Sequence, residues 1–542
     1  GGVGSLGSGT YAANIVNAGI FQYASSAAQT LSGEISGAGA LLKDTSASTL
    51  ILSGTNIYTG ATTISMGTLK LGSTTALGTI ASGTTVASGA TLDLNGQTLA
   101  TAEALTLSGA VALTNSSATL VIYSGLISLA AHTTITANNG NINITNAGTI
   151  SGAGFNLSLA GTVTNSTLAS IIGTGTGTVI KVGAGTWVLS GVNTYTGATT
   201  ISAGTLRSGN ADVIADSSAV SIANGAIWDL ADFNETVASI ADVASNTPGS
   251  ISLGSANLTV GDASSTTFTG IISGTGGLIL SGGTQTLSGA NTYTGATTIS
   301  AGTLVIGGAG SLGGGTYAAN IANAGTFQYA SSAAQTLSGE ISGAGALLKD
   351  TSATSTLILS GTNTYTGTTT IGAGTLVISG AGTLGGGTYA ANIANAGTLR
   401  YASSEDQILS GVISGTGALV KETDSTSILT LSGINTYSGI TTISTGTLQL
   451  GNADALGTAA GNTIVASSAT LDLNGQTVIT AEALTLSGTV ALINGSATLA
   501  SYSGLLTLAA NTIINASMGD IDLSHTGTIT GAGFNLSLGG AT

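Results

Sequence analysis

Cysteine is absent from this chain, and proline occurs once, as Pro248. In a secreted protein the lack of cysteine excludes a disulfide framework, so packing and hydrogen bonding must supply the stability. Only seven lysine and arginine residues stand against 22 aspartate and glutamate residues, which gives a formal net charge of −15. At this density of positive charge the sequence predicts no basic surface and no nucleic-acid partner.

Aromatic residues make up 4% of the sequence and charged residues 5%, whereas hydrophobic residues make up 42%. Disordered chains have the opposite composition, so this chain can bury a core. Its apolar side chains are mainly Leu, Ile, Val and Ala, which suit a narrow interior that repeats along the chain. No run approaches 18 consecutive apolar residues, so we expect no membrane-spanning helix in this stretch.

The chain is built from internal repeats. The block TYAANI begins at Thr10, Thr316 and Thr388, and the phrase NxY[TS]G occurs five times, with its last three copies evenly spaced. A longer repeat relates residues 1–378 to an incomplete copy at 379–542, and 72-residue modules lie around 307–378 and 379–450. We expect one continuous domain over residues 1–542. Because both ends cut through a repeat, we also expect a longer native polypeptide or copies that join end to end.

Short segments such as TLILSG and TLDLNGQT place an apolar residue at every second position, which is the period of a half-buried strand. Gly, Asn and Ser separate these segments and suit tight corners. Because equivalent strands are nearly identical, we expect them to stack winding on winding as an all-β parallel β-solenoid. A 72-residue module divided into three windings predicts about 24 residues and three short strands per coil.

The phrases LSGANTYTGATTISAGTLVIG (287–307) and ATLDLNGQT (90–98) resemble the autotransporter-associated β-strand repeat of Gram-negative passenger regions and large adhesins. The resemblance covers nearly the whole chain. It implies a right-handed parallel β-helix that is exported across the outer membrane and exposed at the bacterial cell surface. The related alternative is an extracellular filament built from the same repeat.

The NxY[TS]G phrase supplies the residues with the clearest pattern. An asparagine ladder that bonds coil to coil at a solenoid corner is the structural interpretation, and an aromatic stripe that binds a ligand is the alternative. Because a whole module separates successive tyrosines in the last three copies, we expect each tyrosine to cover its own corner. These residues are Asn56, Tyr58, Asn193, Tyr195, Asn291, Tyr293, Asn363, Tyr365, Asn435 and Tyr437.

Catalytic residues are not indicated. The two histidines, His132 and His525, align with Asn511 and Asn146 of the other repeat copy, so neither behaves as a required base. Acid/base catalysis needs paired carboxylates in a cleft, but the carboxylates found here recur with the repeat, as structural positions do. They are Asp93, Glu103, Asp472 and Glu482. A polysaccharide-active β-helix enzyme is a remote alternative, for which Arg207 and Arg400 stand without an acidic cluster.

Cofactor and metal sites are not indicated either, since the calcium nonapeptide, the DxDxDG loop and Cys/His sets are missing from the sequence. Threonine is abundant, and flat threonine ladders on a solenoid can bind ice or a crystalline polysaccharide. The candidates are the pairs Thr62–Thr63, Thr199–Thr200 and Thr369–Thr370. Adjacent strand residues point to opposite faces, so each pair offers one outward threonine, once per module rather than once per coil.

We therefore expect a non-enzymatic, extracellular structural fibre or stalk of a bacterial surface protein. It would associate with itself, end to end or laterally, or form part of a longer filament. The alternative is an adhesin passenger whose lateral face binds glycan, a host cell or a neighbouring cell.

Overall fold

A computed structural model describes residues 2–44, 47–100, 103–244, 248–350, 353–478 and 482–540. Its contacts divide the chain into two units. Unit 1 comprises Gly1–Val260 and Thr266–Gly276, and unit 2 comprises Gly261–Ser265 and Gly277–Thr542. Apart from three 3-10 turns (Gly7–Gly9, Gly313–Gly315 and Gly385–Gly387), every regular element in the described ranges is a β-strand.

The strands are short and are numbered in chain order. Those up to β31 are Thr10–Tyr11, Ile15–Val16, Ile20–Tyr23, Gln29–Leu31, Ile35–Ser36, Ala40–Lys43, Thr49–Leu52, Thr62–Ile64, Gly67–Leu71, Thr84–Val86, Ala90–Asp93, Leu105–Asn115, Val121–Tyr123, Ile127–Ala137, Ile142–Ile144, Thr149–Ser151, Leu157–Gly161, Ser166–Leu168, Ile171–Gly173, Val179–Lys181, Thr186–Leu189, Thr199–Ile201, Thr205–Ser208, Ala219–Ile222, Ile227–Asp229, Glu235–Val237, Ser239–Asp242, Ser250–Ser252, Leu258–Val260, Ser265–Phe268 and Ile271–Ser273. Strands β32 to β61, all in unit 2, are Leu278–Leu280, Thr284–Leu287, Thr297–Ile299, Thr303–Ile306, Thr316–Tyr317, Ile321–Asn323, Thr326–Tyr329, Gln335–Leu337, Ile341–Ser342, Ala346–Lys349, Thr356–Leu359, Thr369–Ile371, Thr375–Gly380, Thr388–Tyr389, Ile393–Asn395, Thr398–Ser403, Gln407–Leu409, Ile413–Ser414, Ala418–Lys421, Ile428–Leu431, Thr441–Leu450, Asn462–Asp472, Thr477–Val478, Ala483–Leu486, Leu492–Ile493, Ala500–Tyr502, Leu506–Leu508, Thr512–Ala516, Ile521–Leu523 and Leu536–Gly540.

Each unit is a parallel β-solenoid. In unit 1, Leu41 pairs with Thr62, Thr62 with Thr84, and Thr84 with Leu105, so each strand lies beside its counterpart in the next winding. Unit 2 repeats this arrangement, and the pairings described within either unit are parallel. The predicted all-β parallel solenoid, with roughly three short strands per coil, is thereby confirmed.

The windings vary in length. Thr284 pairs with Thr303, whereas Thr369 pairs with Ile393, so the second of these windings is longer than the first. The predicted coil of about 24 residues, obtained by dividing a 72-residue module into three windings, lies at the upper end of the observed range rather than at its mean. Variation is tolerated because extra residues enter the corners while the paired strands stay in register.

The 72-residue module does not contain a whole number of windings. Three windings from β35 (Thr303–Ile306) lead through β38 and β41 to β43 (Thr369–Ile371). However, β43 repeats the sequence of β34 (Thr297–Ile299), and the counterpart of β35 is β44 (Thr375–Gly380), in a different sheet. A module therefore equals three windings plus one further strand, and each copy of the motif lies one face onward from the copy before.

Side chains alternate between the core and the surface. Along β42 (Thr356–Leu359), Leu357 and Leu359 are buried, whereas Thr356 and Ile358 are partly exposed. Inward residues of one type stack across windings even where the strands are not copies of one motif. One such column in unit 1 is Leu50, Leu69, Leu92 and Leu113. Burying an aliphatic side chain of this size contributes roughly 1.5–3 kcal/mol.

Corner glycines allow adjacent windings to approach closely. Gly302 has φ +79°, and a Cβ at this position would lie 2.2 Å from the carbonyl oxygen of Gly283 in the preceding winding. An L-residue is excluded there both by the backbone conformation and by the contact. No described segment forms a helix of the length and hydropathy needed to cross a bilayer. The single continuous domain over residues 1–542 stays a prediction.

Candidate functional site: the Asn–Tyr–Thr corners

The motif asparagines connect three successive windings. In unit 1 the Asn56 Oδ1 accepts a hydrogen bond from the backbone N–H of Ile35 (2.9 Å), and its Nδ2 donates to the carbonyl of Ala76 (2.7 Å). In unit 2, Asn363 accepts from Ile341 (3.0 Å) and donates to Thr383 (3.0 Å) in the same way.

The asparagines of the other three copies make hydrogen bonds of the same kind. Asn193 accepts from Ile172 and donates to Val213, Asn291 donates to Ser311, and Asn435 accepts from Ile413 and donates to Ala455. All five asparagines are buried. Each bonds to backbone groups of neighbouring windings, because the motif copies are too far apart to bond to one another.

The motif tyrosines point into the core. Tyr58, Tyr195, Tyr293, Tyr365 and Tyr437 are no more than 1% exposed. Each hydroxyl shares a hydrogen bond of 2.6–2.8 Å with the Oγ1 of the threonine four residues later. Burial raises the pKa of all five phenols, so they remain protonated at physiological pH. The five rings fill the inner side of the corners. They therefore do not form the exposed aromatic stripe that a ligand could bind.

The inward threonine continues the hydrogen-bond network into the next winding. Thr297 Oγ1 also lies 2.8 Å from the hydroxyl of Tyr317, and the rings of Tyr293 and Tyr317 meet edge to face at 5.7 Å. The next module repeats the arrangement with Tyr365, Thr369 and Tyr389. Of each threonine pair noted in the sequence, the first residue is therefore inside and bonded, and only the second faces outward.

Four of the seven basic residues are buried lysines. Lys43, Lys181, Lys349 and Lys421 are at most 1% exposed. The Lys181 ammonium donates to the carbonyls of Val182, Gly183 and Ala203, at 3.1, 2.7 and 3.0 Å, and burial lowers its pKa to about 8. Burial lowers the pKa of the other three as well. The ammonium groups of Lys43, Lys349 and Lys421 donate to the carbonyls of Met66, Ala373 and Asp424, so each buried charge is hydrogen-bonded.

The remaining basic residues form ion pairs across windings. Lys70 lies 3.5 Å from Asp93, and Arg207 lies 3.4 Å from Asp229. Arg400 donates from Nε to Glu422 at 2.8 Å. In the described part of the chain, each arginine forms an ion pair with a single carboxylate.

Among the residues that the structure describes, three glutamates are buried and form no ion pair. Glu103 accepts from Thr84 Oγ1 (2.8 Å), and Glu482 accepts from Thr463 Oγ1 (2.9 Å) at the equivalent place in the second repeat copy. Glu235 accepts from the backbone N–H of Ile214 (2.6 Å) and from Ser208. Burial raises the pKa of Glu103 and Glu235 to about 8 and that of Glu482 to about 7.

Sequence reasoning treated Glu103 and Glu482 as structural repeat positions but did not predict burial of glutamate or lysine. The burial of the lysines could have been predicted from the alternation of residues along the strands. Leu41 and Lys43 have the same parity along β6 (Ala40–Lys43), and both are buried. Glu103 and Glu482 lie outside the strands, where parity gives no direction, whereas Glu235 begins β26 (Glu235–Val237) and has the same parity as buried Val237.

The other residues considered for catalysis are separate from one another. His132 is exposed and accepts from the backbone of Asn156 (3.0 Å), and His525 is exposed and accepts from Gly527 (2.7 Å). Asp93 and Asp472 accept from nearby backbone N–H groups, at Asn95 and Asn474. Within the described ranges, no three His, Asp or Glu side chains are close enough to hold a metal ion.

The asparagine bridges should carry measurable stability. Replacing Asn363 with Ala leaves the Ile341 N–H without its partner, which costs about 1–3 kcal/mol for a buried group. It also removes one of two hydrogen bonds to the Thr383 carbonyl, which still accepts from the backbone N–H of residue 363. The matched control is Asn320→Ala, since Asn320 is exposed and makes a similar bond to the N–H of Glu340 at 3.0 Å. Chemical denaturation should show a larger loss of unfolding free energy for Asn363→Ala. Equal losses would contradict the bridging role.

The buried glutamates predict that stability falls as pH rises from weakly acidic to weakly alkaline values. With a pKa raised from 4.5 to about 8, Glu103 keeps its proton in the folded state where the unfolded chain has lost it. Stability therefore decreases as pH rises from about 4.5 through 8, by about 1.4 kcal/mol per pH unit for each such group. Glu103→Gln should match the wild type near pH 5 and exceed it at pH 9 in denaturation midpoint. Glu405→Gln, at an exposed position, should follow the wild-type pH profile throughout, and a parallel profile for Glu103→Gln would refute the assignment.

Comparison with known proteins identifies the repeat. The passenger-associated-transport-repeat family matches residues 43–71, 179–207, 280–306, 354–378 and 425–450, and each match contains one Asn–Tyr–Thr corner. The chain is 34% identical over 145 residues to the adhesin BmaC autotransporter of Brucella suis biovar 1 (strain 1330). That alignment covers 27% of this chain and 4% of the adhesin. No solved structure matches. The resemblance inferred from the sequence is confirmed, and the chain is a β-solenoid that carries autotransporter passenger repeats.

Proposed function

We propose that this chain is a non-enzymatic, surface-exposed structural region of an exported bacterial adhesin, in which stacked windings hold a binding surface away from the cell. The observation that supports this most directly is the use of the repeat motif. In all five copies its asparagine and tyrosine are buried. Because the asparagine and tyrosine side chains of the motif join windings in the interior, they are not available to bind a ligand.

The contacts between windings suit a region that bears load. Each winding pairs its backbone with the windings before and after it, and the asparagine amides add bonds across three windings. In repeat proteins stability is approximately a sum of such nearest-neighbour terms. The chain can therefore gain length by adding modules without a new core, which is what a spacer between a cell and its target requires.

The placement of basic residues favours survival outside the cell. Trypsin-like proteases cleave after lysine and arginine in segments that can enter an active site in extended form. The four buried lysines lie in or beside paired strands, and Lys70, Arg207 and Arg400 pair with carboxylates of the following winding. Cleavage at any of these seven positions requires local unfolding of at least one winding.

Two parts of the sequence-based prediction remain proposals. Self-association, end to end or lateral, is compatible with parallel solenoids but rests on no contact described above. Binding of host cells, neighbouring cells or glycan by a lateral face depends on exposed residues rather than on the repeat motif, and the motif does not argue for it.

The test uses intact bacteria that produce the native protein. Antibody to this region should label unpermeabilised cells. Trypsin added to these cells should leave the region intact at a concentration that digests the heat-unfolded protein within minutes. An in-frame deletion of residues 297–368, one module, should keep the protein at the surface and retain adhesion.

Labelling that requires permeabilisation would contradict surface exposure. Rapid cleavage of the native protein at Lys349 or Lys421 would contradict the protective burial. Complete loss of adhesion from a correctly displayed protein that lacks one module would show that the module itself binds, against the spacer role.

A further inference from the structure

Outward hydroxyl groups form a continuous row on one face of unit 1. Thr63 pairs in register with Thr85, Thr85 with Thr106, Thr106 with Ser128, and Ser128 with Ser151. All five side chains are partly or fully exposed. Thr106 and Ser128 share a hydrogen bond of 3.1 Å along the row. Thr63 is partly exposed and Thr85 is fully exposed, whereas the preceding residues Thr62 and Thr84 are buried and bonded inside.

The sequence prediction that outward threonines recur once per module was incomplete. The row is built from strands of different sequence, TTI, TTV, LTL, ISL and TIS, which the solenoid brings side by side. Sequence comparison aligns copies of the same motif, but in the structure those copies lie on different faces and are not neighbours. The row consists of unlike strands that lie side by side, so it can be found only when the register between them is known.

Unit 2 has the same row in the second repeat copy. Thr442 pairs with Ile464, Ile464 with Thr485, Thr485 with Thr507, and Thr507 with Thr530. Four of these five positions carry a hydroxyl, and Thr507 and Thr530 share a hydrogen bond of 3.2 Å. The two copies differ in residue type at three positions, yet the hydroxyl is lost only at Ile464.

The positions that flank each row are uncharged. We define the hydroxyl face of unit 1 as segments 61–65, 83–87, 104–108, 126–130 and 149–151, and that of unit 2 as segments 440–444, 462–466, 483–487, 505–509 and 528–530. These segments contain no Asp, Glu, Lys, Arg or His. In a chain with a net charge of −15, each face is therefore a neutral surface of hydroxyl groups and small or aliphatic side chains.

Two other rows of the same windings change their chemistry between the copies. The row Ile51, Lys70, Asp93, Thr114 in unit 1 corresponds to Thr430, Gln449, Asp472, Ile493 in unit 2. On another face, Ile122 and Asn143 correspond to Ser501 and Asp522. A shorter outward row on a neighbouring face keeps two of its hydroxyls, since Thr49, Thr68 and Thr91 correspond to Ile428, Thr447 and Thr470. The row from Thr63 to Ser151 is longer and keeps four of its five hydroxyls.

We propose that the hydroxyl faces bind an ordered, uncharged polysaccharide, such as the surface of a cellulose-like or chitin-like polymer. Threonine and serine hydroxyls each donate and accept hydrogen bonds, which matches a ligand made of hydroxyl groups. Parallel windings repeat them at about 4.8 Å, so a regular polymer meets a regular array. Anionic polymers are disfavoured by the acidic protein, and ligands that require aromatic stacking find no ring on either face.

A second copy of the chain fits the faces less well. Five strands at about 4.8 Å and five residues at about 3.3 Å give a face of roughly 400 Å². A stable protein interface buries about 800 Å² on each partner. A face of this size with few large apolar groups suits many weak contacts to an extended polymer better than a dimer, and the combined strength then comes from multivalency.

The experiment measures retention of the purified 542-residue chain on insoluble cellulose and chitin. The test variant carries Thr63→Val, Thr85→Val, Thr106→Val, Thr442→Val, Thr485→Val and Thr507→Val, which keep side-chain shape and remove the hydroxyls. The control variant carries Thr49→Val, Thr68→Val, Thr91→Val, Thr447→Val and Thr470→Val, which are partly exposed and in register on a neighbouring face of the same windings. Circular dichroism verifies that both variants fold.

We expect the wild type and the control to bind one of the two polymers, and the test variant to lose at least fivefold in bound fraction. The proposal is overturned if the wild type is retained on neither polymer, if the test variant binds like the control, or if the variant changes only the oligomeric state. Binding to ice in place of polysaccharide would also overturn it. This inference depends on the proposed function in one respect, that the chain must be exposed at the cell surface to reach the polysaccharide. Because the assay uses purified protein, its failure is distinguishable from failure of surface display.

Discussion

Parallel pairing between successive windings is the interaction on which the rest of this structure depends. Each winding satisfies its backbone N–H and C=O groups through the windings on either side, so no winding is complete alone. The pairing requires the chain to return to the same face after about three strands. It also keeps corners thin enough for close approach, as the contact between Gly302 and Gly283 shows. Most other features of the molecule follow from this requirement.

The mismatch between sequence repeat and winding is one consequence. Since a module equals three windings plus one strand, copies such as β34 and β43 occupy different sheets. All faces must accept the same inward pattern, and the aliphatic columns allow this because they require only Leu, Ile or Val of similar size. Each corner is stabilised by its own buried residues, an asparagine that bonds to neighbouring windings and a tyrosine that packs in the core. Such a corner can therefore occur on any face of the solenoid. This explains how one motif can be repeated without a fixed lateral position.

The strand pattern, the parallel solenoid and the passenger-repeat family could all be predicted from the sequence, because period-two alternation and motif repetition are local signals. The role of Asn56 and its copies in joining windings was one of two interpretations, and the contacts of Asn363 with Ile341 and Thr383 favour it. Burial of Lys181 and Glu235 was missed, since charged residues are normally placed outside. The hydroxyl rows could not be found, because they depend on the register between unlike strands.

The buried repeat motif and the exposed hydroxyl faces indicate that inward and outward positions of the chain have different roles. The buried motif maintains the windings, and the outward positions, which the core does not constrain, are free to acquire binding chemistry. A solenoid built in this way can extend by duplication and diversify on its surface with little effect on stability. The acidic surface and the buried or paired basic residues fit an extracellular setting.

The pairing of successive windings can be tested directly by cross-linking in unit 2, because the chain has no native cysteine. Thr303→Cys with Thr326→Cys places two thiols on paired outward positions of adjacent windings, and Thr303→Cys with Thr375→Cys places them on equivalent positions of successive modules. Because a disulfide needs Cβ atoms about 4 Å apart, the winding-based account predicts rapid oxidation of the first pair and none of the second within the monomer. Oxidation of the second pair in preference to the first would show that modules stack as whole units, and would contradict the account.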